Sequence, residues 1–464
     1  MAVKLALPKG RLLDETSALL RRADFGLSGY SKQVRFYHLK CRRFPNLLAR
    51  VFHERDIPIQ VAVGNYDLGI CGLDWVEELL AKYPTSAVVK VKDLSYGQAA
   101  LYITASRLSG AATVRELGLK SGIIRIASEY PNLAESFALK SRWRRFSVFP
   151  LWGAAEVYPP ESADLALIPV KTGEELSSYG LVKVSKVLEG GAFLIANAAS
   201  QAGKDLAGVV ASIDDGLLAT EKTAPSVEVV EVGGDTLAEA GDDTVWLALP
   251  DGHQQSPTLS LLSRANIQVN DNLVNRRPTT NLDGVKIKII RPQDMPLQVA
   301  NGNFDLAVTG RDWLREHRYQ FPSSPVKELL DLKLGKVKIV AVVSKDLAVA
   351  DVDGLRQFSY ESDVPFRVAS EYVNIADKYA RDNHLGPYRV IPTWGASEAF
   401  VPEDADLLIE NTQTGRTIAR HNLKIVDKLF ESTACLIGSA HCVKGKGKRI
   451  ESIITALKAV VEGG

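Results

Sequence analysis

Apolar residues fall along this chain in two alternating patterns. Short runs rich in Val, Ile, Leu and Ala occur at Val3–Leu7, Ile123–Ala127 and Asp164–Ile168, and each gives way to Pro or Ser. Runs of that length and composition predict strands. Between such runs lie amphipathic stretches, Arg11–Arg22 and Asn132–Lys140 among them, whose apolar side chains recur at helical spacing. Their alternation predicts α/β layers around mixed or parallel sheets. Several strands run directly into a Gly- or Ser-containing turn and then a helical pattern, the place where open α/β sheets bind ligands.

The pattern occurs twice. Residues 52–78 align without gaps on 290–316, with 13 of 27 positions identical at an offset of 238. LALP recurs at 5–8 and 247–250, RIASEY at 125–130 as RVASEY at 367–372, PLWGAAE at 150–156 as PTWGASE at 392–398, and KTG at 171–173 as QTG at 413–415, all offset by 242. The repeating unit is therefore a domain rather than a solenoid module. The expected division is 1–232 for the first copy, 233–243 for a linker of small and acidic residues, and 244–464 for the second.

Composition narrows the class. At 464 residues, 46% hydrophobic and 24% charged, the chain has enough apolar material for more than one core and too much for a disordered protein. Lys plus Arg total 56 against 55 for Asp plus Glu, so the formal charge of +1 offers no field for nucleic acid or an anionic membrane. Anions must be bound by local clusters. The opening MAVKLALPKGRLL breaks after a few apolar residues into Lys9 and Arg11, and no apolar run reaches the length of a membrane span, so a cytoplasmic protein is expected. Cys41, Cys71, Cys435 and Cys442 form no CxxC pair and the histidines show no ligand spacing, so the cysteines read as small buried apolar residues and no metal site is expected.

Three segments carry candidate chemistry. In the second copy the strand Asp406–Ile409 is followed by ENTQTGRT, residues 410–417, and a helical pattern from Ile418. Gly415 lets backbone approach an anion, Thr414 and Thr417 add hydroxyls, Arg416 adds charge, and Glu410 can accept hydrogen bonds from vicinal sugar hydroxyls. Together these groups suit a ribose 5-phosphate, although TGxT alone also reads as a capped helix start. PKGRL, residues 8–12, places Lys9 and Arg11 at the end of the first strand, where a solvated turn is the plainer reading. The third segment runs from Arg291 to Pro296 and on through GNFDLAVTGRDW, in which Asp294 and Asp312 read as helix caps and Trp313 as core.

LPKGRL, RDIPIQVAVGNYDLGICGLD, RIASEYPN, GASE and the ExxxTGRT loop, in that order, resemble the ATP phosphoribosyltransferase family, which opens histidine biosynthesis by joining ATP to phosphoribosyl pyrophosphate. The resemblance covers nearly the whole chain as two catalytic regions in tandem. It implies two periplasmic-binding-protein-like (type II) units, each of two α/β lobes with a cleft, related by a pseudo-two-fold. It also implies ATP and phosphoribosyl pyrophosphate as substrates and Mg2+ carried with the pyrophosphate. The phosphoribosyl loop then falls on Glu410, Thr412, Gln413, Thr414, Gly415, Arg416 and Thr417, with Glu410 where the family usually has Asp. The basic positions fall on Lys9, Arg11 and Arg291, and weaker acidic positions on Glu371 and Glu398. Neither copy is expected to carry the extra regulatory domain of the family's long form, so feedback inhibition by histidine within this chain is not expected.

The copies depart from the family pattern in complementary places. The first copy's loop reads IPVKTGEE, so Ile168 replaces the acid while Glu174 and Glu175 replace Arg416 and Thr417. One like-charge pair at 4 Å is disfavoured by about 4 kcal/mol at an effective dielectric near 20. The second copy's opening turn reads LPDGHQ, with Asp251 for Lys9 and His253 for Arg11. Family catalytic regions associate as two-fold dimers, so the fused chain is expected to form an internal pseudo-dimer, open to further homo-oligomerisation. One site is expected, in which the second copy's loop binds the sugar phosphate while Lys9 and Arg11 reach it from the first copy. The competing reading is a catalytically inactive paralogue that binds a nucleotide or amino acid and regulates a partner. The intact loop favours the enzyme; Asp251 and the Glu410 substitution favour the binder.

Overall fold

A computed structural model describes residues 2–31, 37–109, 113–118, 122–170, 174–218, 243–270, 275–361, 363–439 and 446–463. The expected linker at 233–243 lies, but for its last residue, outside the described residues, as does Cys442.

Each copy forms two α/β lobes. In the first copy, one lobe is a six-stranded sheet in the spatial order His38–Lys40, Leu47–His53, Val3–Lys9, Leu68–Gly72, Ala192–Asn197, Val88–Asp93. The other is a five-stranded sheet ordered Leu181–Gly190, Ala99–Ser106, Leu165–Val170, Ile124–Ser128, Phe146–Pro150. Parallel and antiparallel neighbours mix in both, as the alternating pattern predicts. Two chain crossings join the lobes, and in the first copy both are interrupted: Gly97 has φ +65°, and a Cβ on Gly191 would meet the Tyr96 carbonyl oxygen at 2.3 Å.

In the second copy the same crossings are unbroken strands, Val326–Ser344 and Leu423–Ser439, which merge the two lobes into one eight-stranded sheet. Their pairing absorbs the bend through repeated register shifts between Glu328 and Val342.

The copies pack reciprocally, lobe against opposite lobe. One hydrophobic cluster joins Leu5, Phe52 and Ile57 of the first copy to Phe400, Leu408 and Ile418 of the second. Another joins Tyr158 and Ala166 of the first copy to Ile290, Met295 and Phe304 of the second. Charged contacts repeat the relation. Arg50 pairs with Glu403 and Asp404, and at the equivalent place Lys288 pairs with Glu161 at 2.8 Å. Asp294 accepts the Trp152 backbone N–H at 3.1 Å, while Asp56 accepts that of Trp394. These pairs sit at the repeat offsets of 238 and 242, so a pseudo-two-fold relates the copies and replaces the true axis of a dimer.

Local boundaries move where the turn decides. The first helix is Leu13–Arg22 rather than starting at Arg11, because the Leu13 N–H turns back to the Gly10 carbonyl at 3.2 Å. The strand before the second copy's TGRT turn extends to Thr412, and the helix that follows, Arg416–Arg420, starts two residues earlier than expected. Asp294 stands at the N-cap of the helix Met295–Ala300 but its side chain makes no capping hydrogen bond, and Asp312 is not a cap. Asp294 serves the interface, and Asp312 lies inside the helix Arg311–Gln320, accepting the hydroxyls of Tyr372 at 2.6 Å and Ser432 at 2.8 Å. Trp313 is buried, its ring 4.4 Å from Tyr372. Cys41, Cys71 and Cys435 are free and buried.

Candidate functional site

The strand Val3–Lys9 ends beside the second copy's loop. There a cavity of about 400 Å3 is lined by Lys9 and Tyr37 of the first copy and by Glu371, Glu398, Glu410, Thr412, Gln413, Thr414 and Thr417 of the second. Gly10, with φ +104°, turns the chain so that Lys9 stays at the strand end. Its Nζ donates to the Tyr37 hydroxyl at 2.9 Å, and the Tyr37 ring stacks on His421 at 4.7 Å. Those contacts tie the cation of one copy to a side chain that follows the loop of the other.

The loop is shaped by its own hydroxyls. The Gly415 N–H donates to Thr412 Oγ1 at 2.9 Å, and Gly415 adopts φ +71°, with open space where a Cβ would stand. Gly415 thereby starts the short helix, and Arg416 is exposed at its first turn. Glu410 accepts the Asn411 backbone N–H at 2.9 Å and its side-chain amide at 3.1 Å, while the same amide donates to Tyr372 at 3.1 Å.

Three carboxyls face this cavity, and their crowding sets its charge. Burial, and then Glu398, raise the Glu371 pKa to about 7 against the opposing pull of Lys9. Burial, together with Glu371 and Glu398, pushes Glu410 well above the usual carboxylate range. The raised pKa values of Glu371 and Glu410 make the cavity less hostile to an anion than three carboxylates would be.

The structure separates the other basic candidates from Lys9. Arg11 lies in the first copy's own cleft, where its guanidinium donates to Glu54 at 2.9 Å and Asp74 at 2.7 Å. Burial opposes its charge, but Asp74 and Glu54 more than offset this and raise its pKa. Arg11 is thus held by two carboxylates of its own copy and does not line the cavity that Lys9 lines. Arg291 belongs to the opposite cleft, 3.1 Å from Asp251 and against Gly153. There Ile168, Pro169, Val170 and Tyr179 line a cavity of about 430 Å3 together with Glu129 and Glu156. Asp251 is not a bare negative charge, since Arg276 also pairs with it at 2.9 Å and reaches Glu156 at 3.2 Å. The helix Glu174–Ser178 matches Arg416–Arg420, but the Glu174 and Glu175 side chains lie outside the described residues.

Tyr37, Asn411 and His421 were not evident from motifs. No repeated segment contains Tyr37, and Arg276 stands at its equivalent place: the Tyr37 carbonyl accepts from Val51 as the Arg276 carbonyl does from Ile289. Glu371, Glu398 and Glu410 line one cavity, yet among the described residues no group of three or more His, Cys, Asp or Glu is placed to hold a metal ion.

This fold and cavity define a duplicated two-lobed α/β protein whose ligand cleft carries a strand–turn–helix loop rich in hydroxyls. The profile of the ATP phosphoribosyltransferase family (HisG) matches residues 53–215 and 291–459, well over half of the sequence, and the chain belongs to that family of phosphoribosyl-transferring glycosyltransferases. An ATP phosphoribosyltransferase of Saccharolobus solfataricus is 32% identical over 227 residues, which span 46% of this chain and 71% of the relative. ATP phosphoribosyltransferase 1 of Geobacter sulfurreducens is 31% identical over 221 residues, again 46% and 71%. Among solved structures, the ATP phosphoribosyl transferase (HisG:HisZ) complex from Thermotoga maritima matches 48% of this chain and 100% of its own at 19% identity, with a TM-score of 0.40. Among the described residues no helix is long and apolar enough to cross a membrane.

Proposed function

We propose that the chain joins ATP to phosphoribosyl pyrophosphate at one site, built by the loop of the second copy, residues 244–464, and Lys9 of the first, residues 1–232. The observation that carries this reading is that Lys9, Thr414 and Thr417 line one cavity although they belong to different copies. N1 of adenine attacks the anomeric carbon, a C–N bond forms, and the C–O bond to pyrophosphate breaks on the opposite face. The protein's part is positioning and charge. Thr414, Thr417 and Arg416 take the 5-phosphate. The Glu410 carboxyl, held by Asn411, faces the ribose hydroxyls. Lys9, oriented by Tyr37, meets the pyrophosphate as negative charge develops on it. Bound Mg2+ supplies further charge neutralisation on that group.

The opposite cleft lacks this constellation: Ile168 stands for Glu410, and Asp251, Arg276 and Arg291 satisfy one another. It supports the fold and does not turn over. Purified chain mixed with ATP, phosphoribosyl pyrophosphate, Mg2+ and pyrophosphatase is expected to form a product read by its ultraviolet absorbance; no product at any concentration of either substrate would refute the assignment.

A further inference from the structure

Across the pseudo-two-fold, one cage is filled and its counterpart is empty. On the filled side the Arg55 guanidinium lies 4.1 Å from the Trp394 ring and 5.3 Å from Trp75. Glu78, Asp56 and Glu129 supply the opposing charge. The repeat carries this frame to the other side, where Trp152 and Trp313 replace Trp394 and Trp75, and Glu316, Asp294 and Glu371 replace Glu78, Asp56 and Glu129. Arg55 alone has no cationic counterpart, because its place is taken by Gln293. A cavity of about 410 Å3 opens there, lined by those two tryptophans, those three carboxyls and Gln293. The Gln293 side-chain oxygen is buried and has no hydrogen-bond partner. The tryptophan rings stand 5.6 Å apart at 60°, edge against face, so a flat group meets the side of the pair that they turn to the cavity.

We propose that this cavity binds the guanidinium group of a small molecule, in the position that Arg55 fills on the other side. Aromatic faces attract a delocalised cation, and a planar fork of N–H donors suits the Gln293 oxygen and the Glu371 carboxyl. Arg55 itself forms one wall, where it stacks on Trp394 with its charge answered by Glu78 and Glu129. Glu371 therefore remains for a ligand, while Asp294 accepts the Trp152 backbone N–H and Glu316 those of Asn374 and Ile375. Glu371 lines both this cavity and the one beside the phosphate loop. A bound cation holds Glu371 ionised and so weakens anion binding next door, with the reciprocal effect required by linkage. That coupling rests on the proposed function; the binding does not.

The test is a titration of the full chain with methylguanidinium and agmatine at low millimolar concentration and constant ionic strength, read by tryptophan fluorescence and calorimetry. Sodium chloride and adenine serve as the ionic and neutral-ring controls. The expected result is a saturable signal for both cations, weakened at least tenfold in Trp152→Leu and abolished in Gln293→Arg, whose new side chain fills the cage and raises the thermal midpoint. A non-saturable response equal to that of sodium chloride, an undiminished signal in Gln293→Arg or in Trp152→Leu, or saturation by adenine and not by the cations would overturn the proposal. Because these readouts need no catalysis, an inactive chain that still binds guanidinium would sink the proposed reaction alone.

Discussion

The two interface clefts are built from the same backbone and repeated motifs, yet they carry opposite electrostatics. In one, Lys9 is bonded to a neutral partner, Tyr37, and faces a hydroxyl-rich loop. In the other, the equivalent pair is Asp251 with Arg276, and Arg291 adds a second cation to the same carboxylate. A cation paired with a phenol keeps its charge for a ligand, whereas cations paired with a carboxylate have spent theirs. One cleft is thus internally paired, while the other keeps its cation on a neutral partner.

Breaking the frame that holds both clefts has the largest expected effect. Arg50 is 7% exposed and bonded to the Ala399 carbonyl at 2.8 Å as well as to Asp404 and Glu403. Arg50→Ala strands the buried Asp404 in the interface and is expected to cost about 3–5 kcal/mol in chemical denaturation. Lys288→Ala at the opposite cleft should cost less, because Arg277 still holds Glu161 at 2.9 Å. Equal losses would contradict this account of the interface.

Lys9→Ala comes next, with turnover reduced about 100-fold, the scale of losing one charge-stabilising donor. Asp251→Ala, in the satisfied cleft, should leave turnover within about twofold. If the two variants behave alike, the contrast between clefts fails.

Much of this organisation was legible in the sequence. The doubled motifs, the strands at Val3 and Ile124 and the loop from Glu410 to Thr417 are local patterns, and apolar periodicity or turn chemistry reports them directly. The partners of the charged side chains were not legible, since they come from distant elements. Arg11 is claimed by Glu54 and Asp74, 43 and 63 residues away in sequence. Nothing near Asp251 in the chain announces Arg276 and Arg291, and the stack of Tyr37 on His421 joins residues of different copies. The interrupted crossings of the first copy depend on backbone packing at Gly97 and Gly191, which an apolar pattern does not encode.

A smaller effect concerns pH. With its pKa raised to about 7 by burial and Glu398, Glu371 is neutral below that pH and charged above it. Its neighbours Glu398, Glu410, Asp312 and Lys9 face the same group. Affinity for phosphoribosyl pyrophosphate is therefore expected to fall about three- to tenfold between pH 6 and 8, the direction of adding a negative charge beside an anion. Glu371→Gln should flatten that slope, and a variant that kept the full pH dependence would assign it to another group.

Gly415→Ala should have the smallest effect. Its Cβ would meet nothing, so only the φ of +71° is penalised, by about 1 kcal/mol in denaturation.

The most direct measurement of the shared site is a calorimetric titration of phosphoribosyl pyrophosphate, with Mg2+, into the unaltered chain, Lys9→Ala and Asp251→Ala. One equivalent bound per chain, lost or greatly weakened in Lys9→Ala and preserved in Asp251→Ala, is the predicted result. Two equivalents per chain, or undiminished binding in Lys9→Ala, would contradict it.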